Sequence, residues 1–221
     1  MIHLLCEYYL DDIEPTMWSW RQVEIDETLR RNARNSFIDR IHAFADVNID
    51  VDLTKFGPTI VHHKTQKRAT FQAFVDYAKS VIPAGDICII ANSDIVFDST
   101  LGLLSQVDLT GRCLALTRYD VALSGEIIFH QDYDSCDSWI FLNPINVVGA
   151  DYYLGILGCD NNFVIDLRAS GLRVYNPCKS IRTLHLHASR RYHMDEHGRR
   201  PGMPLKSDNF RTRGITLSEI S

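Results

Sequence analysis

No C-x-x-C pair, no H-E-x-x-H pattern, no internal repeat and no low-complexity tract occurs in these 221 residues. The six cysteines, Cys6, Cys88, Cys113, Cys136, Cys159 and Cys178, lie far apart, which excludes a dense disulfide framework and the usual structural zinc modules. They read as buried thiols of a reducing compartment, so a cytoplasmic location is expected. No apolar run approaches the ~20 residues of a membrane span, and Ile2–Cys6 is too short for a signal peptide. Basic charge is scarce as well: 23 Lys and Arg face 28 Asp and Glu, for a net charge of −5. Duplex nucleic acid, which demands a concentrated basic surface, is thereby excluded as the main partner. A basic stretch near Arg199–Arg213 leaves room for a local anionic ligand.

The chain does have material for one substantial core, being 45% hydrophobic and 10% aromatic. Ile2–Tyr9 reads as a strand, followed by an Asp-Asp-Ile-Glu-Pro turn and a polar helix from Trp20 to about Arg34. Strands are expected at Ile38–Ala45 and Thr59–His63. A helix then starts near Ala69, with Phe71, Phe74, Val75, Ala78, Val81 and Ile82 at helical spacing and Pro83-Ala84-Gly85 as its stop. Ile87–Ala91 is a continuous apolar run of strand length, as a strand covered on both faces requires. Asp98 or Ser99 caps a short helix through Val107, and Cys113–Leu116 is another buried strand. Gly125–Asp137 reads as a polar loop, Ser138–Leu142 as a strand, Cys159–Ser170 as a helix closed by Gly171, and Arg173–Asn176 and Ser180–His187 as final strands. This alternation predicts right-handed βαβ units in a doubly wound α/β sheet.

Ligands of such sheets bind beyond the carboxyl ends of the strands. Ile90-Ala91 runs into Asn92-Ser93-Asp94, which puts a carboxylate at the mouth of the most buried strand. Asp94 there either joins a hard cation to pyrophosphate oxygens or simply turns the chain, with Asp98 as a helix cap.

A buried strand ending in Asn92-Ser93-Asp94 resembles the Asp-x-Asp element of GT-A fold glycosyltransferases. So, in order, do Arg68-Ala69-Thr70-Phe71, Leu116-Thr117-Arg118-Tyr119-Asp120, Asp137-Ser138-Trp139-Ile140-Phe141, Gly158-Cys159-Asp160-Asn161 and Thr183–Ser189, which are similar to glycosyltransferases related to the family-two enzymes. The resemblance implies a three-layer α/β sandwich with a mostly parallel central sheet over residues 1–190, with residues 191–221 a basic tail packing on or near the active site. It implies transfer of a sugar from a nucleoside-diphosphate donor to a hydroxyl acceptor, which could be a glycan, small molecule or protein, with Mn²⁺ or Mg²⁺ as cofactor. Donor contacts would fall to Tyr8, Arg68, Asn92, Ser93, Asp94 and Arg118, with either Tyr8 or Tyr9 stacking on the nucleobase at the end of the first strand. Metal ligands would be Asp94 with His185 and His187, His187 lying nearer the strand's end. Asp160 would deprotonate the acceptor, Asp137 being the runner-up.

Each of these residues also has a plainer role open to it. The two histidines, two apart on a strand, share one face and could merely hydrogen-bond at a sheet edge. Asp160 could favour a helix macrodipole, Trp139, whose ring could stack on a sugar face, could instead be core packing, and Arg68 and Arg118 could form surface salt bridges. Asn92 departs from the family's pattern, since it stands where the first acidic residue is expected and brings no charge. A sugar nucleotidyltransferase is a rival reading, but Glu7–Ile13 carries no Gly-rich phosphate loop. A non-catalytic nucleotide- or carbohydrate-binding module is another. A zinc site from His185, His187, His193 and His197 lacks accompanying thiolates.

Overall fold

A computed structural model describes residues 1–11, 20–130, 135–187, 202–206 and 212–220. The Asp-Asp-Ile-Glu-Pro turn after Asp11, the loop at 131–134, His193, His197 and most of the basic tail lie outside the described residues.

The strands are β1 (Ile2–Tyr8), β2 (Arg40–Asp46), β3 (Ile60–Thr65), β4 (Ile87–Ala91), β5 (Ile95–Phe97), β6 (Arg112–Leu116), β7 (Tyr119–Val121), β8 (Ile127–Phe129), β9 (Ser138–Leu142), β10 (Arg173–Tyr175) and β11 (Thr183–His185). The helices are α1 (Trp20–Ala33), α2 (Phe71–Val81) and α3 (Cys159–Ala169). A seven-stranded sheet runs β10-β6-β9-β4-β1-β2-β3, with β4 at its centre. Its pairings are parallel except at β9, which is antiparallel to both β4 and β6. The continuous apolar run Ile87–Ala91 thus occupies the position that its burial on both faces demands.

Alternation along the strands sorts the core into two layers. Leu4, Cys6, Tyr8, Ile41, Ala43, Ile89 and Ile140 face α1, where Ile25 and Leu29 meet them. Leu5, Phe44, Cys88, Ile90, Trp139 and Phe141 face α2 and α3, packing against Phe71, Phe74, Phe163 and Leu167. Phe71 lies 4.2 Å from Phe163 and 4.9 Å from Trp139 between ring centroids, so Trp139 is a core residue. Thr70 caps α2 through a bond from the Ala73 amide, and Asp98 caps the 3-10 turn Ser99–Gln106, as expected. Val81 ends α2 exposed while Ile82 is buried. All six cysteines are buried and unbridged.

A smaller sheet, β5-β11-β7-β8, was not legible as such in the sequence. Part of the expected loop at Gly125–Asp137 forms β8, because Ile127-Ile128-Phe129 pairs in antiparallel register with Tyr119–Val121. The strand expected over Ser180–His187 shortens to β11, wedged between β5 and β7. No described helix is long and apolar enough to cross a membrane.

Candidate active site

The smaller sheet lays its strands over the carboxyl end of β4, and its register assembles the site. The chain leaves β4 through Asn92-Ser93-Asp94 and re-enters as β5, whose Ile95 pairs with His185 of β11. On the other side of β11, His185 pairs with Asp120 of β7. Asp94, His185 and Asp120 are therefore brought into line by backbone pairing, and the Asp94 carbonyl also accepts the Leu186 amide at 2.9 Å.

Side chains complete the alignment. His185 Nε2 lies 3.1 Å from Asp94 Oδ2, while its Nδ1 lies 2.8 Å from Asp120 Oδ1. His187 Nδ1 reaches the same Asp94 oxygen at 3.2 Å. The Arg21 guanidinium donates to it at 2.7 Å, and Tyr9 and Glu24 steady Arg21 in turn. Asp94 is only 5% exposed. Burial alone would raise its carboxyl, but His185, His187 and Arg21 outweigh that and hold it well below the usual carboxylate range. For His185, burial disfavours the charged form, yet Asp94 and Asp120 lift it to about 9.

Two further ion pairs flank this cluster. Arg68 Nε donates to Glu7 Oε1 at 3.1 Å and to Oε2 at 3.0 Å, while Nη2 donates to Oε2 at 2.9 Å and also bonds the Leu154 carbonyl. Arg118 joins Asp137 at 2.7 Å and Asp120 at 3.0 Å, and Asn92 Nδ2 donates to the other Asp137 oxygen at 2.9 Å. A cleft of about 620 Å³, counting its open mouth, is lined by Glu7, Tyr9, Arg21, Arg68, Asn92, Ser93, Asp94, Arg118, Asp137, His185 and His187.

Asp94, His185 and His187 bring one carboxylate and two imidazole ligand atoms within 4.8 Å of one another. That donor set suits a divalent cation of the Mn²⁺ or Zn²⁺ kind better than Mg²⁺, which favours oxygen. Asp120 fits the same purpose, because a carboxylate on one ring nitrogen of a ligand histidine fixes the tautomer that presents the other.

No family model and no curated protein matches the chain. Among solved structures it is similar to S. aureus TarS, at 10% identity and a TM-score of 0.54 over 83% of this chain and 36% of that one. TarS 1–349 in complex with UDP-GlcNAc gives 10% identity and a TM-score of 0.52 over 87% and 62%. GalNAc-T7 with UDP, GalNAc and Mn²⁺ gives 11% identity and a TM-score of 0.53 over 83% and 42%. The fold is the GT-A fold. The chain spans between 36% and 62% of the length of these proteins.

On this GT-A sheet most of the residues expected at the site do converge: Arg68, Asn92, Ser93, Asp94, Arg118, Asp137, His185 and His187 all line the cleft. Tyr8 does not. It shares the inward face of β1 with Leu4 and Cys6, and its hydroxyl bonds Asp26, leaving Tyr9 to line the cleft. Asp160 lies outside the lining residues, in the first turn of α3, with its carboxylate on the Cys136 amide at 3.2 Å. Burial and the neighbouring Asp137 charge raise it to about 6. Segment 202–206 packs beside it: the Met203 amide bonds the Leu157 carbonyl, and Asn162 bonds the Pro204 carbonyl and the Lys206 amide. Gly158 is left-handed before α3, at φ +87°, which strains any residue with a side chain, and a Cβ there would also sit a tight 3.1 Å from the Met203 carbonyl. Arg21 was not singled out by sequence and Asp120 entered only as the last residue of the Leu116–Asp120 motif, with no role of its own, although Arg21 falls on the buried stripe of α1 with Ile25, Thr28, Leu29 and Asn32.

Proposed function

We propose that this protein is a glycosyltransferase that moves a sugar from a nucleoside-diphosphate donor to a hydroxyl acceptor. The observation that carries the reading is the convergence of Asp94, His185 and His187 with three guanidiniums in one cleft at the carboxyl ends of β1 and β4. Strand ends of an open α/β sheet are where such donors bind, and guanidiniums are suited to diphosphate oxygens. TarS and GalNAc-T7, which share the fold, were solved with UDP-GlcNAc and with UDP and Mn²⁺ respectively.

In this reading Asp94, His185 and His187 hold a divalent cation, which when bound supplies positive charge to the diphosphate. Arg118 and Arg68 orient the phosphates, while Asp137 and Glu7 aim those two guanidiniums. Asp160 takes the proton of the acceptor hydroxyl as its oxygen bonds to the anomeric carbon and the carbon–oxygen bond to the diphosphate breaks. A carboxyl raised to about 6 is matched to that task near neutral pH. Asp137, the runner-up, is committed to Arg118 and Asn92, so Asp160 is the better base.

Nucleoside diphosphate release from a panel of nucleotide sugars, with a range of hydroxyl acceptors, tests the reading. Turnover of one donor that falls roughly 10²- to 10⁴-fold in Asp160→Asn is expected. Binding of a nucleotide without any turnover would favour the non-catalytic module, to which Asn92 gives its support.

A further inference from the structure

The oxygen on which both histidines converge already carries a cation of the protein's own. Arg21 Nη2 is 2.7 Å from Asp94 Oδ2, nearer than His185 at 3.1 Å or His187 at 3.2 Å. The arginine is built into place: it is 8% exposed, its Nη2 and Nε both donate to the Tyr9 hydroxyl, and its Nη1 meets Glu24. A guanidinium stays protonated at any working pH, so its charge is permanent. Two cations on one buried carboxylate oxygen repel each other strongly in a site of low dielectric.

The charges lining the cleft sharpen the conflict. Each guanidinium in the cleft is already paired: Arg21 with Asp94 and Glu24, Arg68 with Glu7, and Arg118 with Asp137 and Asp120. Asn92, standing where a second carboxylate is expected, adds no charge to help a cation displace Arg21. A divalent cation arriving alone finds a guanidinium already on the shared oxygen of Asp94, and a diphosphate arriving alone finds every guanidinium engaged.

We propose that Arg21 competes with the divalent cation for Asp94, and that metal and nucleoside diphosphate therefore enter together, the diphosphate drawing the guanidinium off the carboxylate. The inference rests on the metal reading above and adds a coupling between the two ligands. Arg21 is in this account a positioning residue: it keeps the cation ligands closed until an anion is present.

The test is Mn²⁺ binding to the full chain, read as free Mn²⁺ by electron paramagnetic resonance, with and without UDP and with folding checked by circular dichroism. Arg21→Gln removes the competing charge and is expected to bind Mn²⁺ alone at least roughly tenfold more tightly than the wild type, while Arg21→Lys stays close to wild type. UDP should tighten Mn²⁺ binding in the wild type and do so much less in Arg21→Gln. Should Arg21→Gln not fold, Tyr9→Phe, which frees the guanidinium from its hydroxyl anchor, should shift Mn²⁺ affinity in the same direction by a smaller factor. Mn²⁺ binding that Asp94→Asn abolishes but Arg21→Gln and Tyr9→Phe leave unchanged or weaken would overturn the competition and spare the metal site. No Mn²⁺ binding by any form, with or without UDP, would overturn the metal reading itself.

Discussion

Replacing Asp94 by Ala should cost the fold as well as the site. The carboxylate is the shared partner of Arg21, with a side chain 9% exposed, and His185, at 10%. Truncation leaves both without their common anion, and breaking a buried pair by removing one partner costs about 3–5 kcal/mol. For a domain of this size each kcal/mol is worth about 2–4 °C, so the melting temperature should fall by roughly 10 °C. Asp94→Asn keeps an acceptor oxygen of the same shape and should lose about half as much or less. Because Asp94 and Arg21 share one ion pair, the double variant Asp94→Asn/Arg21→Gln should be less destabilised than the sum of its parents by about 1 kcal/mol or more. Urea denaturation of the four proteins measures that coupling. Additive losses, or an Asp94→Ala melting temperature within about 2 °C of wild type, would show that the pair does not join α1 to the β4 turn.

If Asp160 is the base, kcat/KM should rise with pH through about 6 and the rise should vanish in Asp160→Asn, as a pH profile of both forms will show. Asp120→Ala should weaken Mn²⁺ binding about 10- to 100-fold in the presence of UDP, with Asp120→Asn, which still accepts the His185 Nδ1 proton, falling between; equal affinities in a titration would remove Asp120 from the site. Far from the cleft, His3, His42 and His63 are linked across β1, β2 and β3 at 3.0 and 3.1 Å, with the Tyr77 hydroxyl at 2.9 Å from His42 and from His63. Burial first, then the neighbouring His63, His3 and Arg40 charges, lower His42 to about 4. The unfolded chain takes up that proton near 6.5, so the stabilisation is whole above that pH and is lost as pH falls towards 4, by up to about 3 kcal/mol. Urea unfolding at pH 7 and pH 4.5 should show a smaller loss in His42→Gln than in the wild type, and identical losses would contradict the assignment.

How much of this was open to sequence reasoning depended on whether the signal was local. Ile87–Ala91 declared a buried central strand by its unbroken apolar run, and with it the place of Asp94 at the strand's end. The spacing of Phe71, Phe74, Val75 and Ala78 likewise gave α2 its buried face. The parity of β1 was also on view: Tyr8 falls with Leu4 and Cys6 on the inward face, so of the two tyrosines offered at the strand's end only Tyr9 lines the cleft. Arg21 sat on the stripe of α1 in plain sight, but a buried arginine makes sense only once its anion, 73 positions away, is known. Asp120 depended on the pairing of β11 with β7, a long-range register between three-residue strands that no local pattern announces. The same shortness hid β5 and β8.

The most direct measurement is calorimetric titration of UDP and other nucleoside diphosphates into the wild type and Asp94→Asn, each with and without Mn²⁺. One nucleotide should bind the wild type in a manner that requires Mn²⁺, and that requirement should disappear together with tight binding in Asp94→Asn. Nucleotide binding that is indifferent to both Mn²⁺ and Asp94, or no nucleotide binding at all, would contradict the claim that Asp94 anchors a nucleotide-sugar site.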